Sequence, residues 1–163
     1  MLAKENKMLY NFSGEKWEKV VNAMFIGQYK YNIDEKGRLV IPSDFRKILG
    51  QTVIINKGIE KCITIYQESE WKTISEKITN LAFTKSDNRK FSRYFFSAAF
   101  KKDFDSQGRI NLDDVLIEHA KIEKECVIVG AGNVIEIWSK TKWEEQEEMR
   151  ANEFDDISEN IDL

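Results

Sequence analysis

Asp34-Glu35-Lys36-Gly37-Arg38 and Asp105-Ser106-Gln107-Gly108-Arg109 share the pattern D-x-x-G-R and lie 71 residues apart in the chain. In each copy an alternating, strand-like run precedes the motif, and a short apolar run follows it. Glycine accepts the positive φ angle that a tight turn requires, so the pattern predicts a β-hairpin with the arginine at its tip. Two such turns predict a two-pronged, nearly symmetric protein.

The sequence around each motif also repeats. Each copy predicts a strand, the turn, a second strand, a short helix and a further pair of strands. In copy one the short helix is expected to begin at an N-cap Ser43 and end at Gly50, and in copy two Asp113 or Asp114 is the expected cap. In the alternating run before each turn, Phe25, Gly27, Tyr29 and Ile33 of copy one correspond to Phe96, Ala98, Phe100 and Phe104 of copy two.

Each copy is too small to close a core alone, so we expect the two copies to interleave their hairpins about a pseudo-two-fold axis. Two independent units are the alternative. The predicted class is a β-rich α+β fold. The predicted segments are an N-terminal extension (1–23), a first repeat (24–81), a helical linker (82–94), a second repeat (95–143) and an acidic C-terminal tail (144–163).

Composition indicates a soluble protein. The 163 residues are 42% apolar and 33% charged, and no apolar run approaches the roughly 20 residues of a membrane span. The chain opens without a signal-peptide pattern, and its two cysteines lack metal-ligand spacing. We therefore expect a cytoplasmic protein with no membrane contact, cofactor, metal or small-molecule substrate.

Charge is distributed unevenly. Residues 144–163 contain nine acidic residues and one basic residue, net −8, whereas the remaining 143 residues contain 19 acidic and 24 basic residues, net +5. A mildly basic body suits an anionic partner. The tail is expected to be a solvated helix end; alternatively, it repels misplaced DNA or docks on a neighbour's basic surface.

Arg38 and Arg109 are the leading functional candidates, because a guanidinium group pairs with phosphate or with guanine O6 and N7. Lys30 and Lys101 occupy matching positions on the polar face of the preceding strands. The aspartate that opens each motif is expected to bond turn N–H groups and orient the arginine. The alternative is that each Asp–Arg pair only stabilises its hairpin and has no binding function.

Longer stretches of the chain closely resemble the bacterial MraZ family, over about residues 24–143. They are Met24-Phe25-Ile26-Gly27, the run from Asp34 to Pro42, Asp105-Ser106-Gln107-Gly108-Arg109 and the run from Val129 to Trp138. The resemblance implies a duplicated AbrB-like swapped-hairpin (double-split) β-barrel with short peripheral helices. It also implies a transcriptional regulator, associated with the nucleoid, that binds direct repeats upstream of the division and cell wall gene cluster as a ring-shaped homo-oligomer.

Together, the residues and the resemblance predict double-stranded DNA as the partner. The candidate DNA-binding residues are Lys30, Asp34, Lys36, Gly37, Arg38, Lys101, Asp105, Gln107, Gly108 and Arg109. Copy two departs from copy one by Gln107 in place of Lys36 and by Asp113 in place of Pro42. The second turn is therefore expected to bind DNA less strongly than the first.

Three other functions compete with this interpretation. Asp103, Asp105 and Gln107 match part of a calcium-binding loop, but the flanking runs indicate strands rather than helices. An enzyme is not expected, since no nucleophile–base set, metal motif or phosphate loop is present; His119 and the cysteines are expected to be structural. The third is an antitoxin-like protein-binding module with an AbrB-type fold, against which the duplication argues.

Overall fold

The computed structural model describes residues 24–162, so the predicted N-terminal extension lies outside the described residues. The strands in this part of the chain are β1 (Gln28–Asn32), β2 (Arg38–Val40), β3 (Thr52–Lys57), β4 (Ile63–Gln67), β5 (Phe100–Asp103), β6 (Arg109–Asn111), β7 (Glu125–Gly130) and β8 (Ile135–Ser139). The helices are α1 (Ser43–Leu49), α2 (Glu68–Thr79), α3 (Ser86–Ser97), α4 (Asp114–Ala120) and α5 (Lys140–Glu159). The element types follow the predicted order in both copies.

The strands form two antiparallel sheets. Six strands pair in the order β1-β7-β8-β4-β3-β5, and β2 pairs with β6 as a separate two-stranded ribbon. The prediction that the runs flanking each turn pair as a hairpin is wrong, because β1 pairs with β7 and β2 pairs with β6. On both sides of the first turn the backbone bonds to copy two instead of to itself. Ile33 N–H donates to Lys124 C=O at 2.9 Å, and Ile41 N–H donates to Gly108 C=O at 3.1 Å.

The two copies exchange strands rather than standing apart. Strand β1 of copy one pairs with β7 of copy two, and β5 of copy two pairs with β3 of copy one. The equivalent residues Leu39 and Ile110 face each other in the ribbon, and Thr64 faces Glu136 where β4 meets β8. These pairs lie on a pseudo-two-fold axis, so each copy completes the sheet of the other. The six-stranded sheet ends at β1 and β5, and the described strands form no closed barrel.

The apolar face of the ribbon and the inner residues of α1 and α4 meet in one core. Leu39, Ile110 and Leu116 are fully buried there, and Phe45 is 3% exposed. Each fully buried aliphatic side chain contributes about 1.5–3 kcal/mol through removal of apolar surface from water. The ribbon is thereby fixed to the body by one face and presents the other to solvent.

The ends of the two short helices differ in part from the prediction. The N-cap of α1 is Pro42 rather than Ser43, since Pro42 keeps an extended ψ of 138° while its C=O accepts Arg46 N–H at 3.0 Å. Asp113 is the N-cap of α4, but its side chain makes no capping bond and pairs with Lys102 Nζ at 2.8 Å. Gly50 ends α1 at φ 81°, as predicted.

Phe96 does not lie in a strand, and the alternating run predicted for copy two begins only at Phe100. Residues 86–97 are helical instead, because Phe91 and Phe95 recur at helical spacing and form an aromatic cluster with α2. The Phe95 ring stacks on Trp71, with ring centroids 5.3 Å apart. None of the helices described between residues 24 and 162 is long and apolar enough to span a membrane.

Candidate nucleic-acid interface

The aspartate that opens the first motif organises its turn. Asp34 Oδ1 accepts the backbone N–H groups of Lys36 and Arg38, each at 2.9 Å. Gly37 N–H donates to Asp34 C=O at 3.1 Å, and Gly37 adopts φ 75°, which a residue with a Cβ would adopt only with strain. The turn is therefore closed by one side chain and one glycine.

The same carboxylate holds the arginine. Arg38 Nε donates to Asp34 Oδ2 at 2.7 Å, and the Arg38 side chain remains 31% exposed. The pKa of Asp34 is lowered from its ordinary value, mainly by the hydrogen bond from the backbone N–H of Arg38. Burial opposes this shift, but the Arg38 guanidinium and the Lys36 N–H add to the lowering, and the hydrogen bonds together outweigh burial. The carboxylate is thus ionised at neutral pH and leaves the terminal Nη atoms of Arg38 available for another partner.

The second turn repeats this geometry atom for atom. Asp105 Oδ1 accepts N–H from Gln107 and from Arg109 at 2.9 Å, and Asp105 Oδ2 accepts Arg109 Nε at 2.7 Å. The backbone N–H of Arg109 is likewise the main cause of the lowered pKa of Asp105. The expectation that each aspartate bonds the turn N–H groups and orients its arginine is confirmed.

The ribbon register places both arginines on one face. Arg38 pairs with Asn111, and Val40 pairs with Arg109, whereas the intervening pair Leu39–Ile110 points into the core. Arg38 and Arg109 are therefore diagonal neighbours, whose Cα atoms lie about 7–8 Å apart in an antiparallel pair. Together with their turns they form an outward surface, called here the ribbon face: residues 34–38, Val40, residues 105–109 and Asn111.

The two turn tips lie at the ends of this face. Lys36 and Gln107 are both exposed and occupy equivalent positions. Both turns are tied to the opposite strand, because Gly37 C=O accepts Leu112 N–H at 2.8 Å and Gly108 C=O accepts Ile41 N–H at 3.1 Å. Asn111 Nδ2 also donates to Lys36 C=O at 3.0 Å. These bonds give the ribbon face a fixed shape.

Lys30 and Lys101 are not brought to the ribbon face. Lys30 is exposed on β1, four residues before Asp34, about 13 Å along an extended strand. Lys101 lies on β5 at the other end of the six-stranded sheet, where its Nζ is 3.3 Å from Glu68 Oε1. Each lysine thus lies about 13 Å of extended chain from its own turn, and the two lysines lie at opposite edges of the six-stranded sheet.

Sequence reasoning missed Arg46. Its Nε donates to Ile41 C=O at 2.9 Å, and its guanidinium lies against Gly108 in the second turn, where a glycine Cβ would collide with it. The equivalent position in copy two is Ile117, whose Cδ1 lies beside Gly37 of the first turn. The available signal was the 71-residue offset, which places an arginine opposite an isoleucine directly after the matching apolar pair Phe45 and Leu116.

Other candidate chemistry is not assembled in the described residues. Both carboxylate oxygens of Asp105 are engaged by the turn, and no group of metal-ligating side chains occurs between residues 24 and 162. Burial raises the pKa of Cys62 to about 12 and that of Cys126 to about 11, so both thiols stay protonated at neutral pH. His119 Nε2 lies 3.0 Å from the carbonyl oxygens of both Gly58 and Glu60, as expected for a structural residue.

Comparison with known proteins gives a consistent family assignment. The family model described as "MraZ protein, putative antitoxin-like" matches twice, at residues 24–94 and 95–163. A protein of Lactobacillus gasseri named transcriptional regulator MraZ is 47% identical over 139 residues, covering 85% of this chain and 97% of the relative. A protein of Lactobacillus johnsonii with the same name is 48% identical over the same lengths. The repeated turns, their matching carboxylate–arginine pairs and these similarities together show that the chain belongs to the MraZ family.

Proposed function

We propose that this protein is a transcriptional regulator that binds double-stranded DNA through the ribbon face. The observation that carries the proposal is the pair of arginines held by aspartates on one exposed face of β2 and β6. The two Lactobacillus relatives are named as transcriptional regulators, which supports the same activity here.

The dimensions of the ribbon suit the major groove. A two-stranded β-ribbon fits this groove, which is about 12 Å wide, and presents side chains to the base edges. Two arginines about 7–8 Å apart span roughly two base-pair steps of about 3.4 Å. Arg38 and Arg109 would therefore read base pairs about two steps apart, while Lys36 contacts a phosphate. Gly37 and Gly108 contribute by forming the turns, since the side on which a Cβ would stand faces Ile117 at Gly37 and Arg46 at Gly108.

Several chains acting together would supply the affinity that one ribbon lacks. Exposed apolar side chains support self-association: Phe83, in the turn between α2 and α3, is 80% exposed, and the helical residues Tyr94 and Phe154 are 51% and 63% exposed. A ring of chains meeting direct repeats about one helical turn (~34 Å) apart converts later contacts into intramolecular ones. On this proposal the ring binds direct repeats upstream of the division and cell wall gene cluster, and acts at the nucleoid in the cytoplasm.

The exchange of strands between copies supports placing the fold among AbrB-like swapped-hairpin proteins. In that superfamily assignment the ribbon and its two turns are the DNA-binding edge of the domain. Lys30 and Lys101 would then contribute long-range attraction rather than contacts in the groove, since their strands lead away from the ribbon face.

The direct test is binding of the full chain to DNA from upstream of its own gene, measured by mobility shift and by fluorescence anisotropy. A shuffled sequence of equal length serves as the non-specific reference. Arg38→Ala should remove specific binding, because a bidentate arginine–guanine pair contributes about 1–3 kcal/mol of discrimination. The size of the assembly should stay unchanged by light scattering. Unchanged specific binding by Arg38→Ala removes the ribbon face from the proposal.

The second candidate is an antitoxin-like protein-binding module, which the wording of the matching family description favours. An antitoxin would co-purify with the product of a small neighbouring toxin gene and neutralise it. Finding a methyltransferase gene and division genes next to this one would instead favour the regulator. Neutralisation of a toxin by Arg38→Ala to the wild-type degree, without DNA binding by the wild type, would establish the antitoxin instead.

A further inference from the structure

The two turns carry different charges at their tips. The first motif has Lys36 between its aspartate and glycine, whereas the second has the neutral Gln107 at that position. Counted by motif alone, the first turn presents two cations and the second presents only Arg109. This asymmetry predicts unequal DNA contacts from an otherwise symmetric ribbon.

The structure adds a cation beside the weaker turn. The guanidinium of Arg46, which belongs to α1 of copy one, lies against Gly108 of copy two. Its Nε is fixed by Ile41 C=O at 2.9 Å, and neither Nη atom has a hydrogen-bond or ion-pair partner within residues 24–162. The neighbouring carboxylate on the same helix, Asp44, pairs with Lys47 instead.

The first turn has no such neighbour. At the equivalent place the apolar Ile117 packs beside Gly37. The exchange of strands brings each helix onto the turn of the other copy. Each turn therefore has two places that can hold a second cation: one within its own motif and one on the helix of the other copy. In the first turn the cation comes from within the motif, as Lys36; in the second it comes from the opposite helix, as Arg46.

We propose that Arg46 is a DNA-contacting residue of the second turn and replaces there the phosphate contact that Lys36 makes in the first. This inference rests on the proposed DNA-binding function and deepens it by completing the second half of the site. Each turn then has two cations, Lys36 with Arg38 at the first and Arg46 with Arg109 at the second. The ligand group is a backbone phosphate beside the bases that Arg109 reads.

The test is the salt dependence of DNA affinity for the full chain, measured with DNA from upstream of its own gene. Each phosphate contact contributes about −0.9 to the slope of log K against log salt. Arg46→Ile, which copies the residue found in the other half, should make the slope less steep by about 0.9 per bound turn. Adding Gln107→Lys to Arg46→Ile should restore it, because the missing cation returns through the other position. Lys47→Ala is the matched control, since it removes an exposed cation from the same helix; its slope should not change.

Arg46→Lys separates the charge from the structural bond. This variant loses the Nε–H group that bonds Ile41 C=O but keeps the positive charge. The slope of log K against log salt should therefore remain near that of the wild type even if the melting temperature falls. A slope that is unaffected by Arg46→Ile, or that Gln107→Lys fails to restore, overturns the role of Arg46. If Arg38→Ala measured in parallel also keeps full specific binding, the proposed function itself fails. If only Arg38→Ala weakens binding, the function stands and this inference falls.

Discussion

The aspartates of the two turns offer a test in which charge and geometry predict opposite outcomes. Asp34→Asn combined with Asp105→Asn makes the ribbon face more positive by two charges, which alone would tighten DNA binding. The amide oxygen can still accept the turn N–H groups that bond Oδ1. The amide nitrogen, however, cannot accept the Nε–H of Arg38 or Arg109, so both arginines lose the partner that orients them.

The sizes of the two effects decide the sign. A carboxylate about 7 Å from a phosphate, screened over a Debye length of about 8 Å, weakens binding by only about 1.5-fold, or about twofold for the pair. Immobilising a freed arginine side chain on binding costs about 0.5–1.5 kcal/mol, or about fivefold to 150-fold in Kd for two arginines. Loss of orientation therefore outweighs the gain in charge, and the double variant should bind specific DNA at least about twofold more weakly.

Fluorescence anisotropy with labelled upstream DNA at fixed salt measures this difference. Asp44→Asn combined with Asp87→Asn is the matched control, since both carboxylates are exposed and the charge change is the same. The control should bind as tightly as the wild type or up to about twofold more tightly. Equal or tighter binding by Asp34→Asn with Asp105→Asn would refute the view that the turns preorganise their arginines.

Three further predictions concern stability and reactivity. Leu39 is fully buried under the ribbon face, so Leu39→Ala should lower the free energy of unfolding by about 2–5 kcal/mol. Val115 is 42% exposed, so the control Val115→Ala should change it by less than about 0.5 kcal/mol. Urea denaturation measures both changes. Hydrogen bonds lower the folded-state pKa of Asp34 and Asp105. The two ionised carboxylates should therefore stabilise the folded state fully above their ordinary pKa of 3.8, and this stabilisation should be lost as the pH falls through the lowered values. The stability difference between wild type and Asp34→Asn with Asp105→Asn should thus stay constant from about pH 5 to 8 and shrink in acid, and a difference that instead grows in acid would reverse the sign of the coupling. The two native thiols should not react with a thiol reagent at pH 8 until denaturant unfolds the chain, because burial raises the pKa of both; rapid labelling of the folded protein would show that they are accessible.

The local structure of the turns could be predicted from the sequence because it depends on neighbouring residues. An aspartate two and four residues before its N–H partners, with a glycine at positive φ, specifies the turn almost alone. The arginine follows directly and reaches the same carboxylate. Element types were likewise predictable, since strand and helix periods are properties of short windows.

Strand partners were not predictable by the same reasoning. The alternation around Tyr29 specifies which face is apolar, but it does not say whether the neighbour is β2 or β7. The hairpin expectation took the nearest strand in the chain, and the structure pairs strands from opposite copies. Phe96 was misplaced for a related reason: alternation of aromatic residues over a few positions also fits the helical spacing of Phe91 and Phe95.

The candidate site was predictable only in its local part. Arg38 and Arg109 were identified from their motifs, but their common face follows from the register of β2 against β6, which no single copy encodes. Arg46 was missed because its position beside Gly108 depends on the exchange of strands between copies. Lys30 and Lys101 match each other in sequence, yet their strands lead away from the ribbon face, at opposite ends of the larger sheet.

Disulfide cross-linking to DNA tests the central claim most directly, because the native thiols are buried and an engineered cysteine would react alone. Glu35→Cys and Ser106→Cys place a thiol at the exposed tip of each turn without removing a candidate contact residue, and Glu153→Cys places one on the exposed tail helix. Upstream DNA carrying a tethered thiol within the repeat should cross-link to both turn variants and not to Glu153→Cys. Cross-linking through the tail helix, with none through either turn, would contradict the account.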